Sequence, residues 1–330
     1  MFIALFIFVS STIISLGFVG LLIKYFDRDL LDIPNQRSTH TRPTLRGGGL
    51  GFIVAFAITG LVAILTDVPY PGFSLTNYFH IWLVLIPLTI IGFIDDCQSI
   101  SASNKYFVQL LSAITTLLFF GTIPLPVLSH LGMASKILTI VFTLVAVTAL
   151  INFYNFMDGL DGFVASITAV QLGFLAFYLK QPIFFLLVAA LIGFLWWNWF
   201  PAKIFMGDVG STFLGASVAI LLLSSREETV LAWSALSVTF PLIGDSIYTL
   251  IRRLLNKENI FEPHRIHIYQ RLQQSNLGHD WVTFIYIFAT IVTACVVYWL
   301  GIMSVTVNIL LTILAISMAE VYLINKPINK

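Results

Sequence analysis

The feature that most constrains this sequence is a series of about eleven apolar runs, separated by short polar segments. A helix needs about 20 apolar residues to cross the hydrocarbon core of a bilayer. The composition agrees, because 58% of the 330 residues are hydrophobic and only 10% are charged, which is too apolar for a soluble domain. The sequence therefore predicts an all-α polytopic membrane protein that forms a single domain, residues 1–330.

The runs give approximate bounds for eleven transmembrane helices. The predicted spans are 2–23, 49–66, 77–94, 106–123, 136–153, 163–180, 182–199, 209–224, 230–251, 281–300 and 302–323. No basic residue precedes the first run and no small-residue cleavage site follows it. We therefore expect it to be a retained helix rather than a signal peptide.

The distribution of lysine and arginine predicts the orientation, since cations stay on the cytoplasmic side during insertion. With an outside N-terminus, only Lys136, Lys180 and Arg226 of the 17 cations fall outside. We therefore expect the C-terminus in the cytoplasm. The net charge of +1 gives no reason to expect nucleic-acid binding. Cys97 and Cys295 are too far apart in sequence to suggest a metal knuckle.

Two adjacent carboxylates, Asp95 and Asp96, end the third run, and Lys105 opens the fourth. Carboxylates at a helix end can hold a divalent cation or a proton, and the lysine can face a phosphate. Taken alone, the pair fits a solvated acidic loop equally well. The segment 95–105 is therefore a candidate site that needs support from the rest of the chain.

A denser polar pattern lies at the junction of the fifth and sixth runs, in the segment 152–162. Its polar residues recur at every third position: Asn152, Asn155, Asp158 and Asp161. If the segment is helical, this spacing places them along one drifting stripe. Gly159 and Gly162 loosen the backbone and allow a ligand to approach closely. Helix capping is the alternative, but a cap needs one such residue rather than four.

Gly207 and Asp208 lie at the start of the eighth run, in the segment 203–212. The free N–H groups and the dipole of a helix N-terminus favour phosphate. With a metal on Asp208, this helix end could bind a diphosphate. The alternative is that Asp208 is only the N-cap of its own helix.

The last long loop, 252–280, carries a cluster of basic and imidazole side chains: His264, Arg265, His267 and Arg271. Such a cluster can bind phosphate through charge-assisted hydrogen bonds. The alternative is that these side chains are cations that only fix the membrane topology, but that role explains the two histidines poorly.

Three weaker signals remain. In the first loop, 37–49, Arg46 precedes the three glycines Gly47–Gly49. Their N–H groups could bind an anion, or their small size could allow close helix packing. Asp245, inside the ninth run, is either a functional buried carboxylate or a polar contact within the bundle. The segment Trp196–Trp199 indicates an interfacial aromatic belt.

Five of these motifs occur in family order and resemble those of the polyprenyl-phosphate N-acetylhexosamine-1-phosphate transferases, glycosyltransferase family 4. The motifs are Pro43-Thr44 with Gly47-Gly48, Asp95-Asp96, Asn155-Phe-Met-Asp158-Gly-Leu-Asp161-Gly162, Phe205-Met-Gly-Asp208 and His264-Arg-Ile-His267-Ile-Tyr-Gln-Arg271. The branch that makes the peptidoglycan precursor carries consecutive histidines in the last loop. Here Arg265 and Ile266 separate the two histidines, as in the branch that initiates O-antigen synthesis.

The resemblance implies eleven spans, an outside N-terminus, bound Mg²⁺ with Mn²⁺ as the alternative, undecaprenyl phosphate as acceptor and a UDP-N-acetylhexosamine as donor. It implies that Asp208 is the metal ligand, that Asp95 and Asp96 serve the acceptor, and that Asp158 and Asp161 serve the donor. The complete predicted site comprises catalytic Asp95, Asp96, Asp158, Asp161 and Asp208, metal-binding Asp208, Asp95 and Asp96, and substrate-binding Asn152, Asn155, Lys105, Gly207, His264, Arg265, His267, Arg271 and Arg46.

We therefore expect a bacterial inner-membrane enzyme, as a monomer or homodimer, with its site facing the cytoplasm. The expected product is undecaprenyl diphosphate carrying N-acetylglucosamine or a 6-deoxy sugar such as FucNAc or QuiNAc, in O-antigen or related glycan synthesis. Direct attack by the lipid phosphate and a covalent aspartyl intermediate remain alternatives. The competing functions are phospho-N-acetylmuramoyl-pentapeptide transfer, secondary transport, for which the sequence shows no internal repeat, and a non-catalytic membrane subunit.

Overall fold

The computed structural model describes residues 2–26, 30–33, 43–66, 74–224, 229–259 and 264–326. Part of the predicted first-loop site, residues 37–42, and the outside cation Arg226 lie outside the described residues.

Thirteen α-helices and one pair of short strands make up the regular structure of the described ranges. The helices are α1 (Phe2–Tyr25), α2 (Gly49–Leu65), α3 (Leu75–Cys97), α4 (Ala102–Phe120), α5 (Met133–Phe156), α6 (Phe163–Tyr178), α7 (Phe184–Asn198), α8 (Gly207–Leu223), α9 (Thr229–Leu236), α10 (Phe240–Leu255), α11 (Ile268–Gln274), α12 (His279–Leu300) and α13 (Met303–Ile324). The strands are β1 (Leu31–Asp32) and β2 (Thr44–Leu45), which pair antiparallel.

Each of the eleven predicted spans coincides with a helix or a continuous helical run, and the ends agree within about four residues. In the described part of the chain, six runs are long and apolar enough to cross a membrane, judged by length and composition. Four more apolar helices, α2, α6, α7 and α8, are shorter. The expectation of a helical membrane protein is confirmed, whereas the number of helices that cross the bilayer stays a prediction.

Helix α8 lies at the centre of the bundle, and every residue from Val209 to Leu223 is buried. Small residues allow its neighbours to approach closely. A Cβ atom on Gly92 of α3 would lie 2.6 Å from the Cα atom of Val209, so the two backbones touch there. Helices α2, α3, α5 and α6 all pack on α8. The start of α8, which carries Asp208, is thereby fixed against several helices.

The structure adds three features that the sequence analysis did not predict. The ninth span is divided into α9 and α10 by a 3₁₀ turn, Ser237–Thr239. Pro241 follows that turn and lacks an N–H group to continue the helical ladder. The loop between α10 and α12 contains the short helix α11, and the first loop contains the β1–β2 pair.

Candidate active site

Polar side chains converge on one end of the bundle, which we call the site end. There α3, α5 and α7 finish and α4, α6 and α8 begin, as expected when consecutive helices run antiparallel. A cavity of about 320 Å³ opens between these helix ends. It is lined by Asp32, Arg46, Asp96, Asn155, Asp158, Gly159, Leu160, Asp161, Asn198, Phe205, Met206, Gly207, Asp208, Ser211, Arg265 and Gln270. The structure therefore brings four of the five predicted catalytic aspartates to one cavity.

The carboxylate of Asp96 caps the start of α8. Its Oδ1 accepts the backbone N–H of Asp208 at 2.8 Å, and its Oδ2 accepts that of Val209 at 3.2 Å. Gly207 has φ +77°, and a Cβ atom there would collide with the Asp96 carboxylate. Asp208 does not cap its own helix, because it lies within α8 and the N-cap position before the helix is occupied by Met206. The Asp208 side chain is thus free of the capping role that the sequence left open.

Asp95, the remaining predicted catalytic aspartate, is linked to the cavity through Lys105. The Lys105 ammonium donates to Asp95 Oδ2 at 3.0 Å and to Asp208 Oδ2 at 3.2 Å. The second oxygen of Asp95 accepts the backbone N–H of Ile100 at 2.8 Å. One cation therefore joins two carboxylates from different helices at the edge of the cavity.

The segment after α5 is a loop rather than a continuation of the helix. Helix α5 ends at Phe156, and Gly162, with φ +68°, precedes α6, so Asp158 and Asp161 leave the helical stripe on which Asn155 lies. Burial, together with the charges of Asp208, Asp96 and Asp161, raises the pKa of Asp158 to about 8. Asp161 Oδ2 accepts the N–H of Ala202 at 2.9 Å.

The first loop supplies an arginine to the same cavity. Arg46 follows β2, and its guanidinium contacts the carboxylate of Asp32 on β1 at 2.7 Å. The N–H groups of Gly48 and Gly49 donate to the carbonyl oxygens of Phe205 and Met206, both at 2.9 Å. These glycines therefore serve close packing against the segment before α8, and their N–H groups are not open to an anion.

The last loop contributes Arg265 and Gln270 to the cavity lining. The ring centroids of His264 and His267 lie 4.9 Å apart. Burial, with the nearby His267 and Arg253, lowers the pKa of His264 to about 4, so this imidazole is neutral near pH 7. Arg265 is consequently the cation of this segment that faces the cavity.

Two predicted substrate-binding residues point elsewhere. Arg271 makes a two-bond ion pair with Glu320 of α13, in which its Nη2 lies 2.9 Å from Oε2. The side-chain amide of Asn152 donates to Gln109 Oε1 at 2.7 Å and to the carbonyl of Thr148 at 2.8 Å. Neither residue lines the cavity, and neither do the predicted substrate-binding residues His264 and His267. Their assignment to substrate binding stays a prediction without geometric support.

Several lining residues were missed by the sequence analysis. Asn198 lies in the tryptophan segment, which the sequence analysis interpreted only as an aromatic belt. In the structure its Oδ1 accepts the N–H of Gly162 at 3.1 Å, and its amide nitrogen donates to the carbonyl of Ile204 at 2.9 Å. An amide among tryptophans at the end of an apolar run was an available signal. Gln270 lies within the quoted histidine motif. Asp32 and Ser211 had no comparable signal.

The donor set of the cavity suits a divalent cation. Five aspartates and two arginines line it, so carboxyl groups outnumber the cations that could face a phosphate substrate. Among the described residues, no three His, Cys, Asp or Glu side chains already form a metal cage. Carboxylate oxygens are ligands that Mg²⁺ takes in proteins, usually one or two per ion, with substrate oxygens and water completing the shell.

Comparisons with known proteins agree with the motifs. The model of glycosyl transferase family 4 matches residues 78–226, which run from the first turn of α3 past the end of α8. The chain is 29% identical over 308 residues to the "Probable undecaprenyl-phosphate N-acetylglucosaminyl 1-phosphate transferase" of Bacillus subtilis (strain 168), covering 85% of this chain and 82% of that protein. It is 28% identical over 249 residues to the "Undecaprenyl-phosphate alpha-N-acetylglucosaminyl 1-phosphate transferase" of Thermotoga maritima, covering 74% of each. It is 29% identical over 273 residues to the "Phospho-N-acetylmuramoyl-pentapeptide-transferase" of Aquifex aeolicus, covering 70% of this chain and 71% of that protein.

Proposed function

Since the chain belongs to glycosyl transferase family 4, we propose that it transfers an N-acetylhexosamine 1-phosphate from a UDP-sugar to undecaprenyl phosphate and releases UMP. The observation that carries this proposal is the cavity at the site end, where aspartates from four separate segments of the chain meet two arginines. The names of the Bacillus and Thermotoga relatives, which specify undecaprenyl phosphate, support it.

The two arginines are the groups that we assign to the donor diphosphate. Arg46 and Arg265 are far apart in the sequence and line the same cavity. A guanidinium presents a planar fork of donors that matches phosphate oxygens. The side-chain amides of Asn155 and Gln270 lie in the same lining and can hydrogen-bond the hydroxyl, acetamido and base groups of a nucleotide sugar.

Lys105 is the residue that we assign to the acceptor phosphate. Its ammonium lies at the junction of Asp95 and Asp208 and is about one-third exposed. An incoming lipid phosphate can draw this cation away from one carboxylate. Lys105 would then hold the acceptor beside the donor and reduce the repulsion between two anions.

Asp208 and Asp95 are the residues that would hold Mg²⁺, with Asn155 beside them as a hydrogen-bond neighbour of Asp208. A bound Mg²⁺ neutralises and polarises the diphosphate. Asp96 is the third predicted ligand, but both of its oxygens already accept N–H groups of α8. We therefore assign Asp96 to holding Asp208 in place.

The chemistry requires little proton transfer. A phosphate monoester has its second pKa near 6, so the lipid phosphate is mostly dianionic at neutral pH without a general base. We propose that one of its oxygens attacks the phosphorus that carries the sugar, which forms a new P–O bond while the bond to the UMP oxygen breaks. A covalent aspartyl intermediate is the alternative. Trapping a phosphorylated enzyme with donor alone would overturn direct attack.

We further propose eleven membrane crossings, an outside N-terminus and a site end that faces the cytoplasm. The alternation of helix ends around the cavity supports consecutive crossings of one slab. Reporter fusions after Asn325 and within 121–132, between α4 and α5, test this topology. The first should be active only as a cytoplasmic reporter and the second only as an external one.

The decisive experiment for the reaction is UMP release by the purified protein with undecaprenyl phosphate, Mg²⁺ and one UDP-sugar at a time. We expect at least one of three donors to be a substrate: UDP-N-acetylglucosamine, UDP-FucNAc or UDP-QuiNAc. Release with none of the donors would refute the proposal. Release only with UDP-N-acetylmuramoyl-pentapeptide would establish the second candidate, which the similarity to the Aquifex protein favours.

A further inference from the structure

The carboxylate of Asp245 is a buried group that the proposed reaction leaves without a role. It lies on α10, is 1% exposed and does not line the cavity. Four donors meet its two oxygens. Oδ1 accepts the N–H of Ile268 at 2.8 Å and the hydroxyl of Thr249 at 3.1 Å, and Oδ2 accepts the N–H of Tyr269 at 3.1 Å and the hydroxyl of Tyr286 at 2.7 Å.

This set of donors calls for a carboxylate rather than an amide. Both oxygens of Asp245 must accept a backbone N–H, and a backbone N–H cannot turn round to accept. In asparagine one oxygen becomes an NH₂ group, so either Ile268 or Tyr269 would lose its partner. The negative charge also lies at the start of α11, and His267 Nδ1 lies 3.5 Å from Oδ1.

The segment that Asp245 holds carries part of the cavity wall. Arg265 and Gln270 flank the two captured N–H groups and both line the cavity. Between them, the ring of Tyr269 stacks on Phe163 with centroids 4.7 Å apart, and its hydroxyl donates to the carbonyl of Phe156 at 3.3 Å. A displacement at Asp245 would therefore reach both the last loop and the end of α5.

We infer that Asp245 is a positioning residue for the donor half of the site, acting through the segment 265–270. This role rests on the proposed function, because it assigns Arg265 and Gln270 to the UDP-sugar. Asp245 touches neither substrate. It fixes the distance between the last loop and the aspartates of the cavity by joining α10, α11 and α12 at one point.

The first test compares Asp245→Asn with Tyr286→Phe. Both remove hydrogen bonds to the same group, but only Asp245→Asn releases a backbone N–H of α11. A displacement of about 1 Å in a site can cost about 100-fold in rate. We expect Asp245→Asn to raise the donor KM at least about tenfold and the acceptor KM less than about threefold. Tyr286→Phe should change both by less than about threefold.

A double-mutant cycle with Arg265→Ala distinguishes positioning from general destabilisation. If Asp245 acts through Arg265, then Asp245→Asn should cost much less in the Arg265→Ala background than in the wild type. Additive losses, or equal donor KM effects of Asp245→Asn and Tyr286→Phe, would overturn the inference.

Hydrogen exchange of the peptide 265–275 provides a readout that needs no activity. Exchange should accelerate in Asp245→Asn and stay near the wild-type rate in Tyr286→Phe, and unchanged exchange in both would overturn the inference. If the wild type releases no UMP with any donor, the proposed function fails while this measurement still decides what Asp245 holds in place.

A second pair of variants avoids changing Asp245 itself. Ile268 is the first residue of α11, where proline fits the helix and lacks only the N–H that Asp245 captures. Ile268→Pro should raise the donor KM, whereas Ile268→Val, which keeps the N–H, should not. Equal donor KM values for the two variants would overturn the inference. This comparison remains decisive even if Asp245→Asn fails to fold.

Discussion

Replacement of Asp96 by asparagine should destabilise the start of α8 and so lower activity, although we do not assign Asp96 to the metal or to a substrate. The carboxylate accepts two N–H groups, and asparagine can accept only one of them. A hydrogen bond to a charged acceptor contributes about 1.5–3 kcal/mol. The lost attraction to the helix dipole adds about 0.3–1 kcal/mol. The total is about 2–4 kcal/mol.

The consequence for activity follows from the place of Asp208 in the same turn. If the whole loss appears in the transition state, kcat/KM should fall between about 30-fold and about 700-fold, since each 1.4 kcal/mol corresponds to about a factor of ten. The assay is UMP release by Asp96→Asn at several Mg²⁺ concentrations. Asp280→Asn, the same change in the first turn of α12 and away from the cavity lining, is the matched control.

Two results would refute this reasoning. Activity of Asp96→Asn within about threefold of the wild type would show that Asp208 keeps its place without the Asp96 cap. Full recovery at high Mg²⁺ would show that Asp96 is a metal ligand rather than a positioning group. We expect neither, and we expect a loss in kcat that persists at saturating Mg²⁺.

Three further predictions concern the same end of the bundle. Lys105→Met should raise the KM for undecaprenyl phosphate. It should also lower the half-saturating Mg²⁺ concentration about two- to fivefold, because it removes the cation that joins Asp208 to Asp95. Weaker Mg²⁺ binding would contradict this assignment. Because the pKa of Asp158 is raised to about 8, the wild type should carry that proton at pH 7 and release about one more proton on Mg²⁺ binding than Asp158→Asn. Calorimetric titrations in two buffers of different ionisation heat measure this difference, which should vanish above about pH 9, where the wild-type carboxyl has already lost its proton. Gly92→Ala should lower the melting temperature and the activity together, because the new methyl group meets the Val209 backbone, which cannot move aside like a side chain. A melting temperature equal to that of the wild type would contradict the close approach of α3 to α8.

Local sequence patterns predicted the helices well, because the length and apolarity of a run depend only on neighbouring residues. The ninth span shows the limit of that reasoning. Its hydropathy is continuous across Ser237–Thr239, yet the helix is interrupted there. In the structure Asn308 of α13 donates to the side chain of Ser237 at 2.9 Å. Pro241 was a local signal for this break that hydropathy alone does not register, whereas the partner on α13 is visible only in the tertiary structure.

The candidate site divides in the same way. The sequence by itself determined which residue types are available at the site end, since carboxylates are costly in hydrocarbon and therefore collect where helices end. It left open whether Asp208 caps its own helix. Only the tertiary structure decided that Asp96, 112 residues away, takes the capping role. It also decided that Arg271 pairs with Glu320 while Arg265 lines the cavity. Such choices among equally polar side chains depend on which helices pack together, and that packing is a property of the whole chain.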